Sequence, residues 1–135
     1  MRINVITIFP EIFDILNVGV ISKSLKNKII KLDIRDLRKN ATNKHNNIDS
    51  KPYGGGEGMV MMAEPIVKTL KQIKKTERGP VIFMSPQGKK LDQKKVKSFS
   101  KLKNITIICG RYEGIDQRVI DKYVDCLLYT SPSPR

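Results

Sequence analysis

Apolar residues arrive along this chain in short bursts, and the bursts alternate between two periods. Ile3 to Phe9, Val81-Ile82-Phe83-Met84 and Ile105-Thr106-Ile107-Ile108-Cys109 are β-branched and nearly unbroken, as strands buried on both faces of a parallel sheet are. A fourth run, near 29–35, alternates Ile30, Leu32 and Ile34 with Lys31, Asp33 and Arg35, so it has one wet face and belongs toward a sheet edge. Between them the period changes to that of a helix. Ile12, Phe13, Ile15 and Leu16 follow Pro10 and are expected to face the core, and a second helix runs near Val20 to Leu25, stopped by Asn27. Ile66, Val67, Leu70 and Ile73 follow Pro65 and leave Lys68, Lys71, Lys74 and Lys75 outside. Val96 and Phe99 follow a capping Asp92, and Val119, Ile120 and Tyr123 follow a capping Asp116. This alternation predicts an α/β fold with a mainly parallel sheet and helices on both faces.

The strands end in punctuation that carries the candidate chemistry. Ser85-Pro86-Gln87-Gly88 has the proline and glycine of a type I turn, and Ile108-Cys109 runs into Gly110-Arg111-Tyr112-Glu113-Gly114. In parallel α/β sheets ligands sit at the carboxyl ends of strands, so these two loops are expected to form one crevice. Pro52-Tyr53-Gly54-Gly55-Gly56-Glu57-Gly58 has four glycines in five positions. Such density suits either a hinge or close approach of another molecule to the backbone, and the second reading is preferred. The loop is neither a Walker nor a dinucleotide motif, because no Gly-Lys-Ser/Thr follows and Met59 and Met61 stand where glycine is required. His45, the single histidine, lies among Asn and Lys and reads as a solvated or phosphate-contacting residue rather than a catalyst.

Charge changes the picture. The net charge is +13, and residues 65–103 hold twelve Lys or Arg against Glu77 and Asp92. A polyanionic partner accounts for this through counterion release, and codon bias in an A- and T-rich genome accounts for it as solvated lysines. No aromatic interleaving supports base stacking. Cys109 and Cys126 form neither a metal spacing nor a disulfide framework, which points to a reducing cytoplasm, and no apolar run reaches membrane length.

Cys109 to Asp116, Pro52 to Met59, and Ser85 to Gly88 with Leu91-Asp92 together resemble the bacterial tRNA (guanine-N1-)-methyltransferases of the TrmD family, members of the SPOUT, or trefoil-knot, class. The resemblance runs in order to about Asp125. It implies an S-adenosylmethionine pocket lined by Met84, Ser85, Pro86, Gly110, Tyr112, Glu113 and Gly114. It also implies that Tyr53, Gly54, Gly55, Gly56 and Gly58 approach the target guanosine, and that the enzyme methylates guanine N1 of tRNA on the 3′ side of the anticodon as a homodimer. Glu113 is the carboxylate placed to meet the positively charged donor or a magnesium ion, with an ion pair to Arg111 or Arg118 as the competing reading. The family's catalytic aspartate and arginine have no counterpart here. Cys126 to Arg135 shows neither strand nor helix period and ends in Ser-Pro-Ser-Pro, so the expectation is a truncated domain over 1–125, without the knot-forming segment and inactive alone, followed by a disordered or foreign tail over 126–135. A non-catalytic basic RNA-binding module is the alternative from another class, and a different nucleotide-dependent enzyme a third.

Overall fold

A computed structural model describes residues 1–40, 49–50, 60–61, 63–110 and 114–129. Its centre is a five-stranded sheet of β1 (Arg2–Thr7), β2 (Lys31–Asp36), β5 (Val81–Lys90), β6 (Asn104–Cys109) and β7 (Cys126–Tyr129), in the order β2-β1-β6-β5-β7. All four pairings are parallel. A two-residue antiparallel pair, β3 (Asp49–Ser50) and β4 (Val60–Met61), stands apart. The helices are α1 (Gly19–Lys26), α2 (Ala63–Lys74), α3 (Gln93–Ser100) and α4 (Gln117–Tyr123), with 3-10 turns at Pro10–Asn17 and Leu37–Asn40.

Strand alternation sorts the sheet into two cores. Ile6, Ile108, Val81 and Phe83 point to one face, where Ile66, Leu70 and Ile73 of α2 and Val119 of α4 close over them. Ile105 and Ile82 point to the other face, against Phe99 of α3 and Leu102. Full burial of aliphatic side chains such as Ile66, Leu70 and Ile73 stabilises by roughly 2 kcal/mol each, against a few tenths per residue from helix propensity, so packing fixes α2 in place. Asp92 caps α3 by accepting from the Lys95 amide at 2.8 Å, and Asp116 caps α4 by accepting from the Arg118 amide at 2.9 Å.

Four expectations are corrected. The first strand stops at Thr7, not Phe9, because the Thr7 hydroxyl accepts the Phe9 amide at 3.0 Å and turns the chain. The segment after Pro10 is a 3-10 helix rather than an α-helix, and none of its residues is buried. With three residues per turn, Ile12 and Ile15 line up with Val18 in one exposed row instead of turning inward. The turn at Ser85–Gly88 does not end its strand. β5 bulges there and resumes at Lys89, its register on β7 shifting between Met84 and Lys89 so that both pair with Leu128. Finally, Cys126 to Tyr129 is no tail but the edge strand β7, with Leu128 only 3% exposed. Its apolar run was too short to show a period, and Asp125 locks its entry. The Asp125 carboxylate accepts from the Val81 amide, and the Asp125 amide donates to the Val81 carbonyl, both at 2.8 Å. Residues 130–135 lie outside the described part of the structure.

Candidate functional site: a crevice at the carboxyl rim of β5 and β6

β5 and β6 lie side by side with Met84 opposite Cys109, so the residues that follow them, Ser85 and Gly110, begin their loops at the same rim. Met84 is half-buried in the second core, Ser85 is half-buried, and Pro86 is exposed. The Ser85 hydroxyl accepts the Gln87 amide at 3.2 Å, which holds the bulge in a tight local turn. Gly88 tucks against β7 so closely that a Cβ there would lie 2.5 Å from Leu127 C and Leu128 N.

Gly110 is exposed toward the rim, with the Phe83 ring beneath it. Gly114 adopts φ +130°, a conformation L side chains rarely take, and re-enters the fold through buried Ile115. Asp116 then anchors the loop's far end. It accepts from Arg118 through the amide and Nε, each at 2.9 Å, and through Nη2 at 2.6 Å. These bonds hold the buried carboxyl below the ordinary range against the effect of burial. Burial pushes the Cys109 thiol up, which favours its neutral form.

Of the residues expected to meet a ligand, the structure thus brings Met84, Ser85, Pro86, Gly110 and Gly114 to one edge. Tyr112 and Glu113 lie outside the described residues, as do His45, Tyr53, Gly54, Gly55, Gly56 and Gly58. Among the described residues no group of three His, Cys, Asp or Glu converges, and Glu113, the expected magnesium ligand, lies outside them. Among them too, no helix is long and apolar enough to cross a membrane. The sequence reading missed the support under the site. Phe83 and Ile115 bracket Gly110, and the Asp-x-Arg spacing of Asp116 and Arg118 was a visible signal for the clamp. An open groove of about 680 Å³ between α2 and α4, lined by Val67, Lys68, Lys71, Arg118, Val119 and Tyr123, had none.

The all-parallel sheet with the β5 bulge and the loop after β6 at one rim is an α/β domain, and its match to a solved methyltransferase of the same family, given below, makes it one of the SPOUT type. A profile described as tRNA (Guanine-1)-methyltransferase TrmD matches residues 1–130, and the chain belongs to that family. It is 46% identical over 125 residues to a tRNA (guanine-N(1)-)-methyltransferase of Clostridium botulinum (strain Alaska E43 / Type E3), covering 93% of this chain and 52% of the relative. A relative of the same name from Buchnera aphidicola subsp. Baizongia pistaciae is 46% identical over 129 residues, again covering 93% and 52%. The crystal structure of tRNA (m1G37) methyltransferase from Aquifex aeolicus superposes with a TM-score of 0.86 at 36% identity, over 97% of this chain and 60% of that one. The chain therefore spans about half the length of the curated relatives it matches.

Proposed function

We propose that this chain supplies the donor-binding half of an S-adenosylmethionine-dependent tRNA (guanine-N1-)-methyltransferase. The observation that carries the reading is the parallel pairing of Met84 with Cys109, which sets two family motifs at one rim. The described residues fit such a donor. Exposed Gly110 presents its backbone at the rim, and Ser85 and Pro86 form the opposite lip. When bound, S-adenosylmethionine supplies an electrophilic methyl carbon.

What these residues do is bind and orient; close backbone approach holds a ligand in line without reorganisation at the moment of reaction. Transfer to guanine N1 also releases a proton, which needs an acceptor. The carboxylates described at the strand ends of this rim are already engaged. Asp36 accepts from Arg38, Asp92 from the Lys95 amide and Asp116 from Arg118. The proton acceptor is therefore assigned to a group outside the described residues. Magnesium at Glu113 rests on the family resemblance, as does approach of the guanosine to Gly54, Gly55 and Gly56.

Isothermal titration of this chain with S-adenosylmethionine tests the first half, with stoichiometric binding expected. A chain extended by the family's continuation tests the second, by transfer of labelled methyl to unmodified tRNA. No binding in the first experiment, or no transfer in the second, overturns the reading.

A second copy of the chain is the proposed cover for the exposed apolar row of Ile12 (61% exposed), Ile15 (71%) and Val18 (68%), continued by Val20 on α1. Sedimentation equilibrium should show a dimer that Ile15→Asp dissociates, and a wild-type monomer at all concentrations would refute it.

A further inference from the structure

The basic tract that is continuous in sequence is divided in space. Lys68, Lys71 and Lys74 belong to α2, which covers one face of the sheet, and Lys94, Lys95 and Lys97 belong to α3, which covers the other. The two groups differ in company. Lys68 and Lys71 border a groove that also holds Glu64 and Asp116. Around α3, Lys89, Lys90, Lys94, Lys95, Lys97, Lys101 and Lys103 share the stretch with a single acid, Asp92, whose carboxylate is occupied by the helix cap. All seven lysines are exposed, and no ion pair among the described residues reaches them.

We infer that the outer face of α3, with the lysines at both its ends, is a docking surface for the sugar-phosphate backbone of RNA. Its placement supports this. Lys89, Lys90 and the capped start of α3 stand at the carboxyl rim, where β5 pairs at Lys90 with Tyr129 and the Leu91 amide donates to the Tyr129 carbonyl at 2.8 Å. The helix then descends across the sheet for about 12 Å at 1.5 Å per residue, and Lys101 and Lys103 continue to the entry of β6. A positive strip thus begins beside the crevice and runs away from it, as the backbone of a polynucleotide with one nucleotide at the site would.

The chemistry of the face selects among polyanions. A membrane-surface helix pairs its lysines with a broad apolar face to insert. Here Phe99 is packed into the second core, and Val96, 42% exposed, is the only large apolar residue left outside on α3. Lys95 Nζ lies 5.6 Å from the Phe99 ring centroid, which pins one cation near the helix surface. A row of exposed ammonium groups without aromatic platforms reads charge and spacing, not bases, so the contact is to phosphates and indifferent to sequence. The identification of the polyanion as RNA rests on the proposed function; the location of the face does not.

The test is binding of an unmodified tRNA transcript to the 135-residue chain across a series of KCl concentrations. Four proteins are compared: wild type, K94A/K95A/K97A, K94R/K95R/K97R and K68A/K71A/K74A. The α3 alanine variant should bind more weakly and show a salt slope reduced by about two to three, since each phosphate contact contributes about 0.7 to 0.9 to it. The arginine variant should keep the slope, and the α2 variant should change it by less than one. An unchanged slope in the α3 alanine variant, or equal losses in the α2 and α3 alanine variants, overturns the inference. So does binding to vesicles of anionic lipid as tight as binding to tRNA at equal salt. Titration with S-adenosylmethionine in parallel separates the two readings. Donor binding with no α3 effect leaves the methyltransferase reading intact and ends this one, and an α3 effect without donor binding does the reverse.

Discussion

The ring of Phe83 lies directly against the backbone of Gly110, so that a Cβ added to the glycine would sit 2.7 Å from Phe83 Cε1 and 3.1 Å from its Cζ. Phe83 is itself buried in the core over α2 and α4 and has no room to retreat. Gly110→Ala therefore overpacks a closed site, and a cost of about 1–3 kcal/mol is expected. Donor affinity should fall together with stability. Phe83→Leu, which removes the ring but keeps an apolar filling, should relax the rim instead. In the double variant the smaller aliphatic side chain leaves space for the new methyl, so the combined loss should be less than the sum, a coupling measurable by denaturant unfolding and calorimetric titration on all four proteins. Strict additivity would show that the ring does not set the position of the loop.

Gly88→Ala should do more damage than its exposure suggests. The atoms a Cβ would meet are the backbone of Leu127 and Leu128, which cannot rotate aside. Loss of β5–β7 pairing around the bulge is expected, seen as faster hydrogen exchange of the Leu91 amide and as proteolysis near Tyr129. Intact protection in the variant would count against this close approach.

Acid should weaken the fold through two named carboxylates. Burial pushes Glu77 up, but hydrogen bonds from Arg2 and Asn4 with the charge of Arg2 more than offset it and leave the group below its ordinary 4.5. The side chain of Arg118 does the same for Asp116 relative to 3.8. Both groups bind a proton less readily folded than unfolded, so their contribution is full above pH about 5 and lost as pH falls through the folded values. Glu77→Gln should thus lower the denaturation midpoint at pH 7, and the gap to wild type should narrow as pH falls below the ordinary carboxylate range and close once the folded carboxyl is protonated. A gap independent of pH would remove Glu77 from the acid transition.

Lys28→Gly should stabilise the protein. α1 ends with the Lys28 amide donating to Leu25 at 3.2 Å and the Ile29 amide donating to Ser24 at 3.0 Å, the paired bonds of a Schellman ending. Lys28 holds the left-handed position at φ +58°, where a side chain costs about 1 kcal/mol that glycine avoids. A rise in thermal midpoint of a few degrees is expected; a fall would mean that the lysine makes a compensating contact.

The parallel sheet and its helix caps were legible because they rest on local signals. β-branched runs, Asp before a helix and glycine after a strand each act within a few residues. What could not be read depends on geometry across the chain. Ile12 and Ile15 carry the same apolar pattern whether the turn has 3.6 residues or three, and only the tighter turn exposes them. Cys126-Leu127-Leu128-Tyr129 has no period in four residues, and becomes a strand because β5 offers an unpaired edge held by Asp125. The lysines of α2 and α3 looked like one tract because a sequence has no faces. Phe83 read as core, and nothing in the run Val81 to Met84 says which glycine will rest on its ring.

The strand order also sets a timetable for synthesis. β1 is made first, yet one of its two neighbours is β6, with Arg2 paired to Asn104, 102 residues later. At translation rates of about 5 to 20 residues per second, that edge of β1 waits roughly 5 to 20 seconds with its amides and carbonyls unpaired. Only β2, completed at Asp36, can shelter its other side in the interval. A newly made chain therefore passes through a stage with an open, strongly apolar strand edge, and the ribosome's pace across residues 37–103 decides how long other nascent chains can reach it.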